Sequence, residues 1–205
     1  MKNKVVILLS GYKRSGKDTI ASKVKEMLPE VKLHAFAEEL KRMASHLFQL
    51  DYDFFVSQDL KERPLLKYAN TSDEWGKMLT NMQKDDLHEG AHTPRSLLIL
   101  LGSFIRYYDN NYWADKVIDQ ILTAEEHIHI ITDCRFKNEI ERVKERLTAD
   151  DNYKVIHIRI HREPPKSNDP SERDLDNTTP QYIIDNTGDI EHAVFEILNV
   201  IAYSQ

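Results

Sequence analysis

Val5-Val6-Ile7-Leu8-Leu9 is an unbroken apolar run that reads as a strand, and a helical pattern follows it over residues 19–28. Residues 31–36 read as a second strand. A helix is expected from about residue 37 to residue 50, with Leu40, Met43, Ala44, Leu47 and Phe48 on one face. The next core strand is 127–132, where His127 and His129 alternate with isoleucines and suggest a polar sheet face rather than a metal site. Ile140, Val143 and Leu147 recur at helical spacing behind it. The alternation over 155–162 predicts a further strand with one face less buried. Tyr182-Ile183-Ile184-Asp185 reads as the last strand and Asn186-Thr187-Gly188 as a turn. Asp189 caps a final helix with Ile190, Ala193, Val194, Ile197, Leu198 and Ile201 in a 3.6-residue period. Strands alternating with helices predict an α/β fold.

Residues 51–126 are far more chain than one strand-to-helix connection needs, and leave room for a mostly helical insertion that grips a second substrate. The first part, 51–92, is charged and aromatic with mixed periodicity. Arg63, Lys67 and Trp75 stand out in it, each with a solvated or rim position as the plainer reading. Thr93 then reads as an N-cap and Pro94 as the first helical residue. The helix that runs to Tyr108 is apolar through Leu97-Leu98-Ile99-Leu100-Leu101 and is expected to be deeply buried. Arg95 at its start and Arg106 near its end suit an anion site, or equally ion pairs with neighbouring acids. A further helix is expected over 113–122.

A chain of 205 residues suits one α/β domain with an inserted lobe and can bury a full core. The net charge of −6 argues against a general nucleic-acid-binding face, because phosphate backbones need a basic surface. Locally converging arginines can still handle a phosphorylated small molecule. Cys134 is the only cysteine, so no intrachain disulfide forms, which fits a reducing, cytoplasmic setting. Beside an apolar strand it reads as a small core residue rather than a nucleophile. The N-terminal apolar run is too short to span a membrane, and no membrane partner is expected.

The chemistry concentrates in Ser10-Gly11-Tyr12-Lys13-Arg14-Ser15-Gly16-Lys17-Asp18-Thr19, between the first strand and the first helix. The G-x-x-x-x-G-K spacing is that of a phosphate-binding loop. Its glycines let the backbone curl tightly around an anion. Loop N–H groups then converge on the phosphates, and the helix N-terminus adds its partial positive charge. Lys17 can reach the β- and γ-phosphates as a point charge. The residue after this lysine is commonly a Ser or Thr that ligates magnesium. Here it is Asp18, and the hydroxyl comes one place later, at Thr19.

Asp133 ends its strand, and in parallel α/β sheets ligands sit at the carboxyl ends of strands. An acid there can hold magnesium's waters or orient a hydroxyl, or cap a helix. Arg135 follows two residues on. Residues 162–180 are polar and proline-containing, which suits a mobile lid from which Arg162 and Arg173 swing over phosphates, or a plain surface loop.

Taken together, the motifs resemble the phage-type deoxynucleoside monophosphate kinases, with phosphomevalonate kinase a more distant look-alike. The resemblance runs nearly end to end. It rests on residues 11–19, on Ala35-Phe36-Ala37-Glu38-Glu39-Leu40-Lys41, on Thr93-Pro94-Arg95 with Leu101-Gly102, and on Asp133-Cys134-Arg135-Phe136-Lys137-Asn138-Glu139. Ser171-Glu172 and Asp185-Asn186-Thr187-Gly188 complete it.

The resemblance implies a P-loop kinase fold. In it a five-stranded parallel sheet is flanked by helices, with a core of 1–50 and 127–205, a helical substrate-binding insertion at 51–126 and a lid at 162–180. It implies γ-phosphoryl transfer from MgATP to a (deoxy)nucleoside 5′-monophosphate, with Mg2+ as cofactor. On this reading ATP is held by Gly11, Lys13, Arg14, Ser15, Gly16, Lys17, Asp18 and Thr19, with Asn186, Thr187 and Gly188 near its base. Thr19 and Asp133 attend the metal. Arg63, Trp75, Arg95, Arg106, Asp133 and Arg135 hold the acceptor, and Lys17, Arg135, Arg162 and Arg173 are the catalytic cations. Trp75 or Trp113 would stack the acceptor base. A phage-encoded chain would work in the host cytoplasm, and a homodimer through the apolar insertion stays open. Two other readings stand beside this one: a P-loop kinase for another phosphorylated small molecule, and a nucleotide-binding regulatory protein without catalysis.

Overall fold

The computed structural model describes residues 3–65, 93–149, 151–163 and 173–205. Trp75, Lys67 and the Ser171-Glu172 pair lie outside them, as do most of 51–92 and half of the expected lid. The chain divides into two compact units, one of Met1–Ala37 with Asn111–Gln205, the other of Glu38–Asn110.

The first unit is built on a five-stranded sheet in the order β2-β3-β1-β4-β5, every pairing parallel. Its strands are β1 (Lys4–Ser10), β2 (Val31–His34), β3 (Ile128–Cys134), β4 (Tyr153–His161) and β5 (Tyr182–Asp185). The five-stranded parallel sheet of the sequence reading is therefore present. The most apolar run takes the centre: Val5 to Leu9 are wholly buried, as a strand covered on both faces requires.

On one face Val5, Ile7 and Leu9 pack with Ile156, Ile158 and Ile160 of β4. Over them lie α1 (Lys17–Met27), through Ile20, Ala21 and Val24, and the last helix, Ile190–Ala202, through Ala193, Val194, Ile197 and Ile201. Asp189 caps that helix, accepting from Glu191 N at 3.1 Å. The other face meets a pair of helices, Tyr112–Thr123 and Lys137–Leu147, which pack on each other, the second also on β4.

This second cover corrects the expectation for β3: His129 is fully buried, so that strand presents no polar face to solvent. On β4 His157 is nearly buried too, but the side it shares with Arg159 and His161 is the less buried one, with Arg159 partly exposed and His161 exposed. The imidazoles of His129 and His157 are satisfied inside. His34 Nε2 meets His129 Nδ1 at 3.1 Å, and His129 Nε2 meets the Glu126 carbonyl at 2.9 Å. A carbonyl can only accept, so His129 carries its proton on Nε2 and His34 donates to it. Cys134 is a buried core residue, and burial first of all pushes its thiol well above the ordinary range.

The second unit continues α2 (Phe36–Phe48) and adds α3 (Asp53–Val56), α4 (Gln58–Lys61) and α5 (Pro94–Tyr108). With those four in place, the helices of the first unit that follow are α6 (Tyr112–Thr123), α7 (Lys137–Leu147) and α8 (Ile190–Ala202). Ala44, Phe48, Phe55, Leu65, Leu97, Leu100 and Leu101 form the second unit's core. Thr93 caps α5 in a reciprocal box with Ser96, and Pro94 stands at its start, as the sequence suggests. The helix is amphipathic rather than buried all round: Ile99 is 62% exposed. Among the described residues no helix is long and apolar enough to cross a membrane.

Candidate functional site

The loop between β1 and α1 has the backbone its glycines foretell. Gly11 sits at φ +144°, and a Cβ there would lie 2.5 Å from the Ile160 carbonyl oxygen of β4. Gly16 sits at φ +94°, and a Cβ there would lie 2.4 Å from Asn186 Nδ2. Both positions therefore exclude a side chain by conformation and by space. Arg14 also takes a left-handed φ of 67°. Between the glycines Ser15 N donates to Tyr12 O at 3.0 Å. Asn186, buried after β5, donates through Nδ2 to Ser15 O at 2.7 Å.

Lys17 opens α1 and folds back into this curl. Its ammonium donates to Gly11 O at 2.7 Å and Tyr12 O at 3.1 Å, with Ser15 Oγ at 3.4 Å. The cation is thus held where the loop and the N-terminal end of the α1 dipole would both attract an anion. Lys13, Arg14, Asp18 and Thr19 are exposed around it.

The loop's root is fixed from below. Ser10 Oγ and His157 Nε2 are 2.7 Å apart, both buried. Burial, with the charges of Lys144 and Arg159, lowers His157 to about 4, so it is neutral near pH 7. With no exposed surface the pair is a brace and not a nucleophile with its base. Sequence reading missed it, because its partners are separated by 147 residues.

Asp133 lies at the end of β3, where the register with β1 shifts between Leu8 and Ser10. Its two carboxylate oxygens accept from Phe36 N at 2.7 Å and Ala37 N at 2.9 Å. It therefore caps the start of α2, the plainer of the two roles the sequence allowed. Next to it, buried Glu139 accepts from Arg135 N at 2.8 Å and Phe136 N at 3.0 Å and so caps α7. Asn138 reaches Asn111 Oδ1 at 3.3 Å. The Asp-x-Arg-Phe-x-Asn-Glu stretch is thus in good part a folding device, and an acid three residues into a helix was the signal for Glu139.

The remaining arginines lie on different elements. Arg135 and Arg162 are exposed just beyond β3 and β4, and Arg173 is exposed with its charge acting on Tyr12 and Asp176. Thr187 and Gly188 are exposed in the turn after β5, Thr187 bonded to Asp185. In the second unit Arg63 is exposed, Arg95 pairs with Glu62, and Arg106 lies one turn beyond Gly102 on α5. Trp113 is a correction: it is 2% exposed in the first unit's core and offers no ring for stacking.

Among the described residues no three His, Cys, Asp or Glu side chains are grouped to hold a metal. Thr19 and Asp133 alone fit only a cation that arrives with phosphates and keeps much of its water, which is how magnesium usually binds.

No protein-family model and no curated protein matches the chain. Solved structures similar to it include dephospho-CoA kinase from Campylobacter jejuni, at 14% identity over 99% of this chain and 98% of that one, TM-score 0.47. The APS kinase of Mycobacterium tuberculosis is 10% identical over 98% and 99%, TM-score 0.46. A gluconokinase from Sinorhizobium meliloti 1021 is 10% identical over 99% and 94%, TM-score 0.45.

Proposed function

We propose that the protein is an ATP-dependent kinase of a small phosphorylated acceptor, most specifically a (deoxy)nucleoside monophosphate kinase. The observation that carries this is Lys17, whose ammonium is gathered into a glycine-shaped loop by the Gly11 and Tyr12 carbonyls. Such a site holds a chain of phosphates with backbone N–H groups on one side and one mobile cation on the other. Lys17 would exchange its carbonyl bonds for β- and γ-phosphate oxygens. Asn186 keeps the loop in shape, and Thr187 and Gly188 would lie toward the base.

In the reaction an acceptor phosphate oxygen attacks the γ-phosphorus, the bond to the β-bridging oxygen breaks, and ADP leaves. Charge spreads over the equatorial oxygens, so catalysis is mainly positioning and cation stabilisation. An acceptor phosphate is already ionised and needs no dedicated base. Arg135, Arg162 and Arg173 would supply the cations. Magnesium brought with the nucleotide would neutralise developing charge beside Thr19 and Asp133. Arg63, Trp75, Arg95 and Arg106 of the insertion 51–126 would hold the acceptor, and the lid 162–180 would exclude water, around a core of 1–50 and 127–205.

Buried Trp113 removes one of two tryptophans available for base stacking, which favours keeping a second reading: a kinase for a phosphorylated acceptor without a base. Incubation with MgATP and each ribo- and deoxyribonucleoside monophosphate, with phosphorus NMR of the products, separates the two. Nucleoside diphosphates are expected. Turnover with phosphomevalonate-like acceptors alone would establish the second reading.

A further inference from the structure

The phosphate loop is tied to the turn at 173–178 by a cluster that no step above uses. The Tyr12 hydroxyl donates to Asp176 Oδ1 at 2.8 Å, across 164 residues of chain. Arg159, at the end of β4, donates to the same oxygen at 2.6 Å and to the Leu175 carbonyl at 2.7 Å. Its guanidinium lies 5.2 Å from the centre of the Tyr12 ring, within the range of a cation–π contact. Leu175 is buried, and Thr178 donates to its carbonyl at 2.7 Å. Asp176 N donates to Arg173 O at 2.9 Å, so one tight turn joins the clamped residue to the arginine.

We infer that Asp176 is a positioning residue: by holding Tyr12 and Arg159 together it fixes the turn that carries Arg173 beside the phosphate loop. Arg173 then meets nucleotide phosphates only while this clamp is made. The side chain of Arg173 is exposed, and a long side chain held by a fixed turn gives up less freedom on binding than one on a loose loop. Tyr12 belongs to the loop whose carbonyl holds Lys17. The clamp therefore couples the two cations through one carboxylate. The inference rests on the nucleotide-binding reading of the loop and adds a residue to it.

The test is a double-mutant cycle in MgATP binding, read by calorimetry on the full chain. Asp176→Ala and Arg173→Ala are each expected to weaken binding about tenfold, and the double variant no more than either alone, a coupling typical of residues acting as a unit. Asp176→Asn, whose amide oxygen still accepts from Tyr12 and Arg159, is expected to recover most of the affinity. Losses that simply multiply, or an Asp176→Ala protein that binds like wild type, would overturn the inference. Should Asp176→Ala fail to fold, Tyr12→Phe with Arg173→Ala cuts the loop's own bond to Asp176 while Arg159 keeps its two bonds, and the same lack of additivity is expected with a smaller loss. Binding without turnover of any acceptor would defeat the kinase reading and leave this cycle decisive. No ATP binding by the wild type would overturn both.

Discussion

Gly16 and Asn186 are fitted to each other: the Asn186 amide nitrogen occupies the space a Cβ on Gly16 would need, and the same nitrogen donates to Ser15 O at 2.7 Å. Gly16→Ala meets that nitrogen and a backbone φ of +94° at once. It should cost about 1–3 kcal/mol of stability and weaken ATP binding at least about tenfold by misplacing loop amides. Asn186→Asp sets an acceptor against the Ser15 carbonyl and should lose a comparable stability, about 1–3 kcal/mol. Thermal unfolding and ATP titration measure both effects. Full ATP affinity in Gly16→Ala would take the nucleotide site away from this loop.

Asp133 can be tested as a cap apart from any role at the metal. Asp133→Ala frees the Phe36 and Ala37 N–H groups and should destabilise the fold by about 1–2 kcal/mol without any ligand present. Denaturant unfolding of the ligand-free protein reads this directly. An unchanged midpoint would mean that the two bonds at the start of α2 contribute nothing.

His129 and His157 give a pH dependence of known sign. Both are lowered from 6.5 to about 4, first by burial and then by nearby positive charge from His34 and Lys144 respectively. Burial also lowers His34. The unfolded chain therefore binds more protons than the folded one between pH 6.5 and about 4. The stability these residues confer is complete above pH 6.5, falls as the pH drops through that window, and levels off below it. The double variant His129→Gln, His157→Gln should show a shallower loss of unfolding midpoint over the same range. An identical slope would place the acid sensitivity elsewhere.

Arg95 separates packing from binding. Its partner Glu62 is 59% exposed, and such surface pairs contribute at most about 1 kcal/mol. Arg95→Ala should leave the melting temperature within about 4 °C and, if Arg95 holds the acceptor phosphate, raise the acceptor KM at least about tenfold. Steady-state kinetics at saturating ATP decides this. An unchanged KM would reduce Arg95 to its salt bridge.

The elements read correctly in the sequence are those with a strong local cause. Val5 to Leu9 could only be a buried strand, the α8 residues kept a strict helical period, and Thr93-Pro94 announced the start of α5. The loop was legible because its glycines are required by local backbone geometry. What was hidden depends on partners far along the chain. Nothing near Ser10 points to His157, and nothing near Asp133 says that its oxygens will meet the N-terminus of α2. A histidine alternating with isoleucines looks the same whether its face meets water or a helix, and α6 and α7 decided that for His129 and His157. Trp113 looked like a stacking ring because residue type carries no record of burial.

On the proposed reading, Lys17 serves phosphoryl transfer from ATP. A coupled assay of ADP release, with MgATP and the panel of nucleoside monophosphates, should be run on the wild type and on Lys17→Ala. Acceptor-dependent turnover that the substitution lowers by at least about a hundredfold is expected, from lost stabilisation of the transition-state charge. Turnover that survives Lys17→Ala, or ATP binding with no acceptor turned over, would contradict it.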